Sequence, residues 1–377
     1  ATLTNVARLA GALAHGEDLE CNGGYTGTGN YNSYSSQMVN GNVQTDKGLF
    51  TENSMDISLH RLMTGRISTG EFDDNLALTQ AAQARIDAQK AADSSAVYNQ
   101  TPERLAILDQ VNNEGVVMLQ NKDNFLPLSI PDGEYKVVIV GAWQTNMYLG
   151  LYSANASNTT KQVNIQKGIS DAIKAKNPNA SFTYITSDSV SESNRAAIEA
   201  ADLCVVVGGA NNQYSAEDRD RNSIAMNNNQ ATMFNQVGQW NPNTVAVMEY
   251  CGPVETYTFA GNVKAILWSS FGGLRKGVGF GNILVGNVNP SGKLTATWFH
   301  STSSLPDKLN YDLYPSGNTA GRTYMFYKGD AVDYPFGYGL SFTTYEYSNL
   351  KIDKTAYDAN DTVKVSFKVK NTGSVAG

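Results

Sequence analysis

The densest run of charge in the chain is Glu217-Asp218-Arg219-Asp220-Arg221, set in the stretch from Gly208 to Asn222. Two kinds of chemistry fit it. Carboxylates and guanidiniums this close together form solvated ion pairs, as most surface charge clusters do. A carboxylate on a long loop, with arginines able to hold its neighbours, is also a workable general acid, and Asp220 and Arg221 would then be the structural pair that fixes the loop. The glycines of residues 272–282 (GGLRKGVGFGN) do not give G-x-G-x-x-G after a strand, and no Gly-Lys-Ser/Thr is present. They read as close packing of a turn against the next helix, and a dinucleotide-dependent oxidoreductase is kept as the rival enzyme class. Cys21, Cys204 and Cys251 stand far apart without Cys-x-x-Cys spacing, and His15, His60 and His300 are as scattered. No structural zinc site and no disulfide framework are expected from such a set.

The elements that must position these residues are visible as periodicity. Short apolar runs at residues 136–142, 203–209, 244–250 and 264–270 carry few polar interruptions, and helical stretches lie between them near 163–176, 193–201, 229–240 and 275–285. Runs apolar throughout and separated by helices predict a mostly parallel sheet buried on both faces, a doubly wound α/β domain. Such sheets take ligands at the carboxyl ends of their strands, so the loops after Gly141, Gly208 and Tyr250 are the places for chemistry. Ahead of the sheet, Thr101 caps a helix predicted from Pro102 to Asn121, with Leu105, Leu108, Val111, Val116 and Leu119 as its apolar stripe.

Before residue 98, helices are predicted over 6–14, 56–64 and 76–92, with Gly16 as a helix stop and a short strand at 18–24 opening into a Gly-rich loop. That leaves too few strands to close a core. After the aromatic and Gly-rich stretch 334–345, Val363, Val365, Phe367 and Val369 alternate with polar residues, as in a half-exposed sandwich strand. Only two or three such strands fit before Gly377, fewer than a sandwich needs, so the chain is expected to stop inside a domain.

A length of 377 residues implies two or three domains. With 28 Lys and Arg against 35 Asp and Glu the net charge is -7, and no basic cluster appears. Nucleic acid and anionic membranes are therefore not expected as partners. No apolar run reaches the roughly 18 residues of a membrane-spanning helix. Residues 1–14 show neither a basic start nor a long apolar core, so no leader is visible there.

Several motifs resemble glycoside hydrolase family 3 in order along essentially the whole chain. Asn113-Glu114-Gly115-Val116-Val117-Met118-Leu119-Gln120-Asn121 with Leu126-Pro127-Leu128 is similar to the opening of that family's second domain. So are the loop of Glu217, the stretch Gly286-Asn287-Val288-Asn289-Pro290-Ser291-Gly292-Lys293-Leu294, and Gly321-Arg322-Thr323-Tyr324 with Tyr334-Pro335-Phe336-Gly337-Tyr338-Gly339-Leu340-Ser341. The resemblance implies the C-terminal end of a (β/α)8 barrel over 1–98, a linker and leading helix over 99–125, an α/β sandwich domain over 126–344, and the start of a fibronectin type III-like domain over 345–377. It implies a retaining exo-acting β-glycosidase for terminal β-D-glucosyl or β-D-xylosyl residues of oligosaccharides, working without a metal or organic cofactor.

Matched residue by residue, the family's acid/base Glu falls on Glu217, with Asp218 as the adjacent rival. Asp18-Leu19-Glu20-Cys21 is similar to the segment that ends the barrel in the xylosidase-like branch, which makes Glu20 a candidate sugar contact; the bland alternative is a Glu20 that only shapes its loop. Two motifs depart from the pattern: Met226-Asn227-Asn228-Asn229-Gln230 stands for Leu-Pro-Gly-x-Gln, and Phe271-Gly272-Gly273-Leu274 for Tyr/Leu-Pro-Gly-Gln. The nucleophile motif, Ser-Asp-Trp or Ser-Asp-Cys, is supplied nowhere in the chain, so the nucleophile and the N-terminal barrel portion are expected outside it as a partner. This chain alone is then expected to be inactive. A non-catalytic sugar-binding or scaffolding fragment is the alternative from a different class.

Overall fold

The computed structural model describes residues 4–19, 31–73, 77–91, 100–153, 161–217, 221–317 and 319–377. The chain divides into two compact units, Ala1–Asn99 and Gln100–Gly377. The first holds helices α1 (Asn5–Ala14), α2 (Tyr31–Asn40), α3 (Glu52–Ser68) and α4 (Ala77–Ala91), with a hairpin of β1 (Gln44–Thr45) and β2 (Gly48–Leu49) after α2. Thr4 caps α1 through Ala7 N, and Gly16 ends it at a φ of 97°. Its core is small: Ala10, Leu13, Met38 and Phe50 are buried together. Ile57, Leu59, Ile67 and Phe72 stay exposed.

The second unit begins with α5 (Pro102–Gly115), capped by Thr101 with Pro102 in the first turn. The helix expected to reach Asn121 stops at Gly115, and β3 (Val117–Asn121) follows. Val116 through Leu119 are four consecutive buried residues, which no helical stripe produces; β3 lies antiparallel to a buried strand, with Met118 opposite Leu267. Val111, placed in the expected stripe, faces out.

The remaining elements are β4 (Tyr135–Val140), α6 (Ile165–Lys176), β5 (Ala180–Ile185), α7 (Glu192–Glu199), β6 (Leu203–Gly209), α8 (Gln230–Trp240), β7 (Thr244–Glu249), α9 (Tyr257–Ala260), β8 (Ala265–Ser269) and α10 (Gly277–Leu284). Six strands form one sheet in the order β3-β8-β7-β6-β4-β5, parallel except for β3. Alternate residues of the strands enter opposite cores. Ile139, Val205, Val207, Val247 and Leu267 pack with Ile169, Ile173, Phe280 and Ile283 of α6 and α10. Val140, Cys204, Val206, Ala246 and Met248 pack with Ile198, Phe234, Val237 and Phe259 of α7, α8 and α9. Burial on both faces is why these strands read as unbroken apolar runs.

Beyond the sheet, β9 (Trp298–Phe299), α11 (Thr323–Phe326) and β10 (Val332–Tyr334) form a small annex in which β9 pairs with β10. A hairpin of β11 (Tyr345–Ile352) and β12 (Val365–Asn371) closes the chain, with Tyr347, Val365, Phe367 and Val369 exposed.

The glycines of 272–282 pack rather than bind. A Cβ on Gly277 would overlap the Asn164 carbonyl, one on Gly279 the Asn112 carbonyl and one on Gly281 the Gly168 carbonyl. Their absence lets α10 lie against α5 and α6 backbone to backbone. Gly279→Ala is therefore expected to destabilise the unit by about 1–3 kcal/mol in urea unfolding. Gly115→Ala, with open space around its Cβ, should shift stability by less than about 1 kcal/mol.

Candidate active site at the carboxyl edge of the sheet

The strand order turns at β4, with β5 on one side and β6 on the other. Helical connections carry the chain to both sides of such a point, and a crevice opens beyond the strand ends. Here β6 also outruns its neighbour: pairing with β4 ends at Val140 and Val206, while β6 continues to Gly209. The backbone groups of Gly209 that face the vacated side are taken by the buried Gln230, whose Oε1 accepts from Gly209 N at 3.0 Å and whose Nε2 donates to Gly209 O at 3.0 Å.

The loop after β6 is tied at two points that flank Glu217. Upstream, the Tyr214 hydroxyl donates to the Ala225 carbonyl, and its ring meets Tyr250 edge-on at 5.6 Å. Downstream, Arg221 Nη1 donates to the Pro253 carbonyl at 2.9 Å, and its guanidinium lies 5.3 Å from the Tyr214 ring centre. Burial raises the Tyr214 hydroxyl above its usual range, opposed by Arg221. Glu217 lies on the span between these ties. Its side chain is exposed and, among the described residues, has no hydrogen bond or ion pair. Asp218, Arg219 and Asp220 lie outside the described residues, and so do Glu20 and Cys21. Arg221 is held by a backbone carbonyl and an aromatic ring, and Asp220, its expected partner, lies outside the described residues.

Beneath the loop is a pair that sequence reasoning missed. Glu249, the last residue of β7, is wholly buried, and Lys276, one residue before α10, is 1% exposed; Nζ and Oε2 are 2.7 Å apart. Glu249 Oε2 also accepts from Trp143 Nε1 at 2.8 Å and Oε1 from Gly272 N at 3.2 Å, while Lys276 donates to the Tyr148 carbonyl at 2.7 Å. The main chain of Glu249 accepts from Ala210 N at 3.2 Å, at the root of the Glu217 loop. Burial pushes the Glu249 carboxyl up and the Lys276 ammonium down, and each charge opposes the shift of the other. The signal was a carboxylate inside an apolar run (TVAVMEY) and a lysine among glycines. Each needs a partner if buried.

Among known proteins, the model of the glycosyl hydrolase family 3 C-terminal domain matches residues 116–342. The chain belongs to glycoside hydrolase family 3. It is 30% identical to the thermostable beta-glucosidase B of Acetivibrio thermocellus over 284 residues, covering 71% of this chain and 37% of that protein. It is 30% identical to beta-D-xylosidase 1 of Arabidopsis thaliana over 313 residues, covering 81% of this chain and 38% of the relative. The chain thus spans well under half the length of these two family 3 relatives. The fold is that of the solved beta-glucosidase from Chaetomella raphigera, with a TM-score of 0.69 at 22% identity over 99% of this chain and 55% of that one. Family membership removes the dinucleotide-dependent oxidoreductase from consideration.

Breaking the buried pair on one side should be costly. Lys276→Met leaves the Glu249 carboxylate uncompensated, with an expected loss of about 3–5 kcal/mol in chemical denaturation. Glu249→Leu combined with Lys276→Met should recover a good part of it, and a double-mutant cycle measures the coupling.

Proposed function

We propose that this chain is part of a retaining exo-β-glycosidase in which Glu217 is the general acid/base. The observation that carries the reading is the position of Glu217: an exposed carboxylate, without a partner among the described residues, on a span tied at both ends beyond the carboxyl edge of the sheet. Glu217 protonates the departing glycosidic oxygen and then takes a proton from water. The nucleophile, outside these residues, attacks the anomeric carbon from a position about 5–5.5 Å from the acid, which gives retention through a covalent intermediate. The substrates are terminal β-D-glucosyl or β-D-xylosyl residues, the two classes named by the relatives. Residues 1–98 are the end of the barrel, with Glu20 as a sugar contact, and 345–377 begin a fibronectin type III-like domain.

The test is made in the complete enzyme that contains these residues. After Glu217→Ala, aryl glycosides with good phenolic leaving groups still form the covalent intermediate, while alkyl glycosides slow by about 10²–10⁴-fold. Deglycosylation becomes limiting, and azide restores turnover because it attacks without a base. Equal slowing of good and poor leaving groups with no azide effect, together with the expected pattern in Asp218→Ala, moves the role to Asp218. The purified 377-residue chain by itself is expected to show no saturable turnover of aryl β-glycosides.

A further inference from the structure

A pocket of about 380 Å3, within the span of small-molecule sites, opens where the downstream end of the loop after β6 meets the loop after β7 and the annex. Among the described residues two charged side chains line it, Arg221 and Lys308, and both are cations. This runs against the net charge of -7. Arg221 is only half engaged: Nη1 donates to the Pro253 carbonyl at 2.9 Å and lies 3.4 Å from the Tyr214 hydroxyl, while Nε and Nη2 have no partner among the described residues. That same edge is the one by which other arginines of this chain take carboxylates. Arg275 Nε and Nη2 donate to the two oxygens of Asp109 at 2.5 and 2.7 Å, and Arg66 holds Glu71 in the same way. A planar carboxylate fits such an edge with two parallel hydrogen bonds. Lys308, exposed and without a partner among the described residues, adds a second charge that favours an anion.

The pocket is held in shape by a network of its own. Thr302 Oγ1 accepts from Ile224 N at 3.0 Å and donates to Glu255 Oε1 at 2.9 Å, Thr302 N donates to the same oxygen at 2.8 Å, and Glu255 N donates to the Ile224 carbonyl at 2.9 Å. Both loops and the annex are thereby cross-linked before any ligand arrives, which lowers the ordering cost of binding. The one carboxylate in this network, Glu255, is engaged with Thr302 and makes no ion pair with either cation. Ile224, Pro253, Phe299 and Leu305 supply an apolar wall, and Phe299 is itself fixed edge-on against Tyr327 at 4.9 Å. A small inorganic anion would leave this wall wet, and a sugar would set hydroxyls against it without partners. Charge on one part and apolar surface on the other suit a ligand divided in the same way.

We propose that this pocket binds an aryl carboxylate, a monoanion whose carboxylate takes the Nε and Nη2 edge of Arg221 with Lys308 as second cation, and whose flat ring lies against the wall of Phe299 and Pro253. The site is made wholly by the second unit and uses neither Glu217 nor bond cleavage.

The experiment titrates the 377-residue chain with trans-cinnamate, read by chemical-shift changes of the backbone amides and of the Arg221 Nε–H. Saturable binding is expected, with shifts centred on residues 221–224, 253 and 297–308. Cinnamyl alcohol keeps the ring without the charge and acetate the charge without the ring, and each should bind about tenfold more weakly or worse. Hexanoate, apolar and charged but not flat, should also bind more weakly than cinnamate. Lys308→Gln, an exposed change that leaves the loop ties in place, should weaken cinnamate by about three- to tenfold, and Arg221→Lys, which keeps a charge but loses the two-pronged edge, by about tenfold or more. Arg221 is also a loop tie, so Lys308→Gln decides. No saturable binding of cinnamate, equal binding of cinnamyl alcohol, acetate or hexanoate, or an affinity unchanged by Lys308→Gln overturns the proposal. Because the readout is binding without turnover, failure here leaves the role of Glu217 untouched, and failure of Glu217 as acid/base leaves this binding untouched.

Discussion

One buried carboxylate organises the carboxyl edge of the sheet. Through its side chain Glu249 holds the indole of Trp143 after β4, the main chain of Gly272 after β8 and the ammonium of Lys276, which reaches on to the Tyr148 carbonyl. Through its backbone it holds Ala210, where the loop of Glu217 leaves the sheet. Three segments distant in sequence, around residues 143–148, 210 and 272–276, are thereby fixed to one strand end. An apolar residue in its place would keep the backbone bond to Ala210 but bind none of the three donors that the carboxylate holds, so the polar network sets the positions of loops that hydrophobic packing alone leaves free. The cost is the removal of two charges from water, offset by their mutual attraction and the extra hydrogen bonds.

Glu217 is an exposed carboxylate on the loop after β6. The loop that carries it is tethered by contacts that cost no side-chain partner of its own: a tyrosine hydroxyl on one carbonyl and an arginine on another. Such ties hold the ends of the span while leaving its carboxylate accessible. The same arrangement shapes the adjacent crevice, since Tyr214 serves as tether and as lining. Tether and cavity therefore share a wall.

What the sequence made legible follows from burial. The strands β4, β6, β7 and β8 were readable because both their faces are buried and their residues are apolar without alternation. The edge strand β5 escaped because Ser181, Thr183 and Tyr184 face solvent, and β3 was absorbed into the preceding helix because nothing local separates a buried strand from a buried helical turn. Glu217 could be found as a loop carboxylate. Its tethers could not, since Tyr214 and Arg221 bind backbone carbonyls, which leave no mark in a sequence. Glu249 was hidden by being inside a run that otherwise behaves as core.

The hairpin of β11 and β12 differs in kind from the sheet before it. Its root is pinned, with Asn289 Oδ1 accepting from Phe342 N at 2.8 Å and Thr343 Oγ1 donating to Asn371 Oδ1 at 2.6 Å, while every residue of β12 is exposed. Two strands without a covered face are marginal in water. The second unit therefore holds two energetic regimes in one chain. Amides of β6 and β7 are expected to exchange with solvent through opening of the whole sheet, and those of β12 through local fraying that leaves the sheet intact.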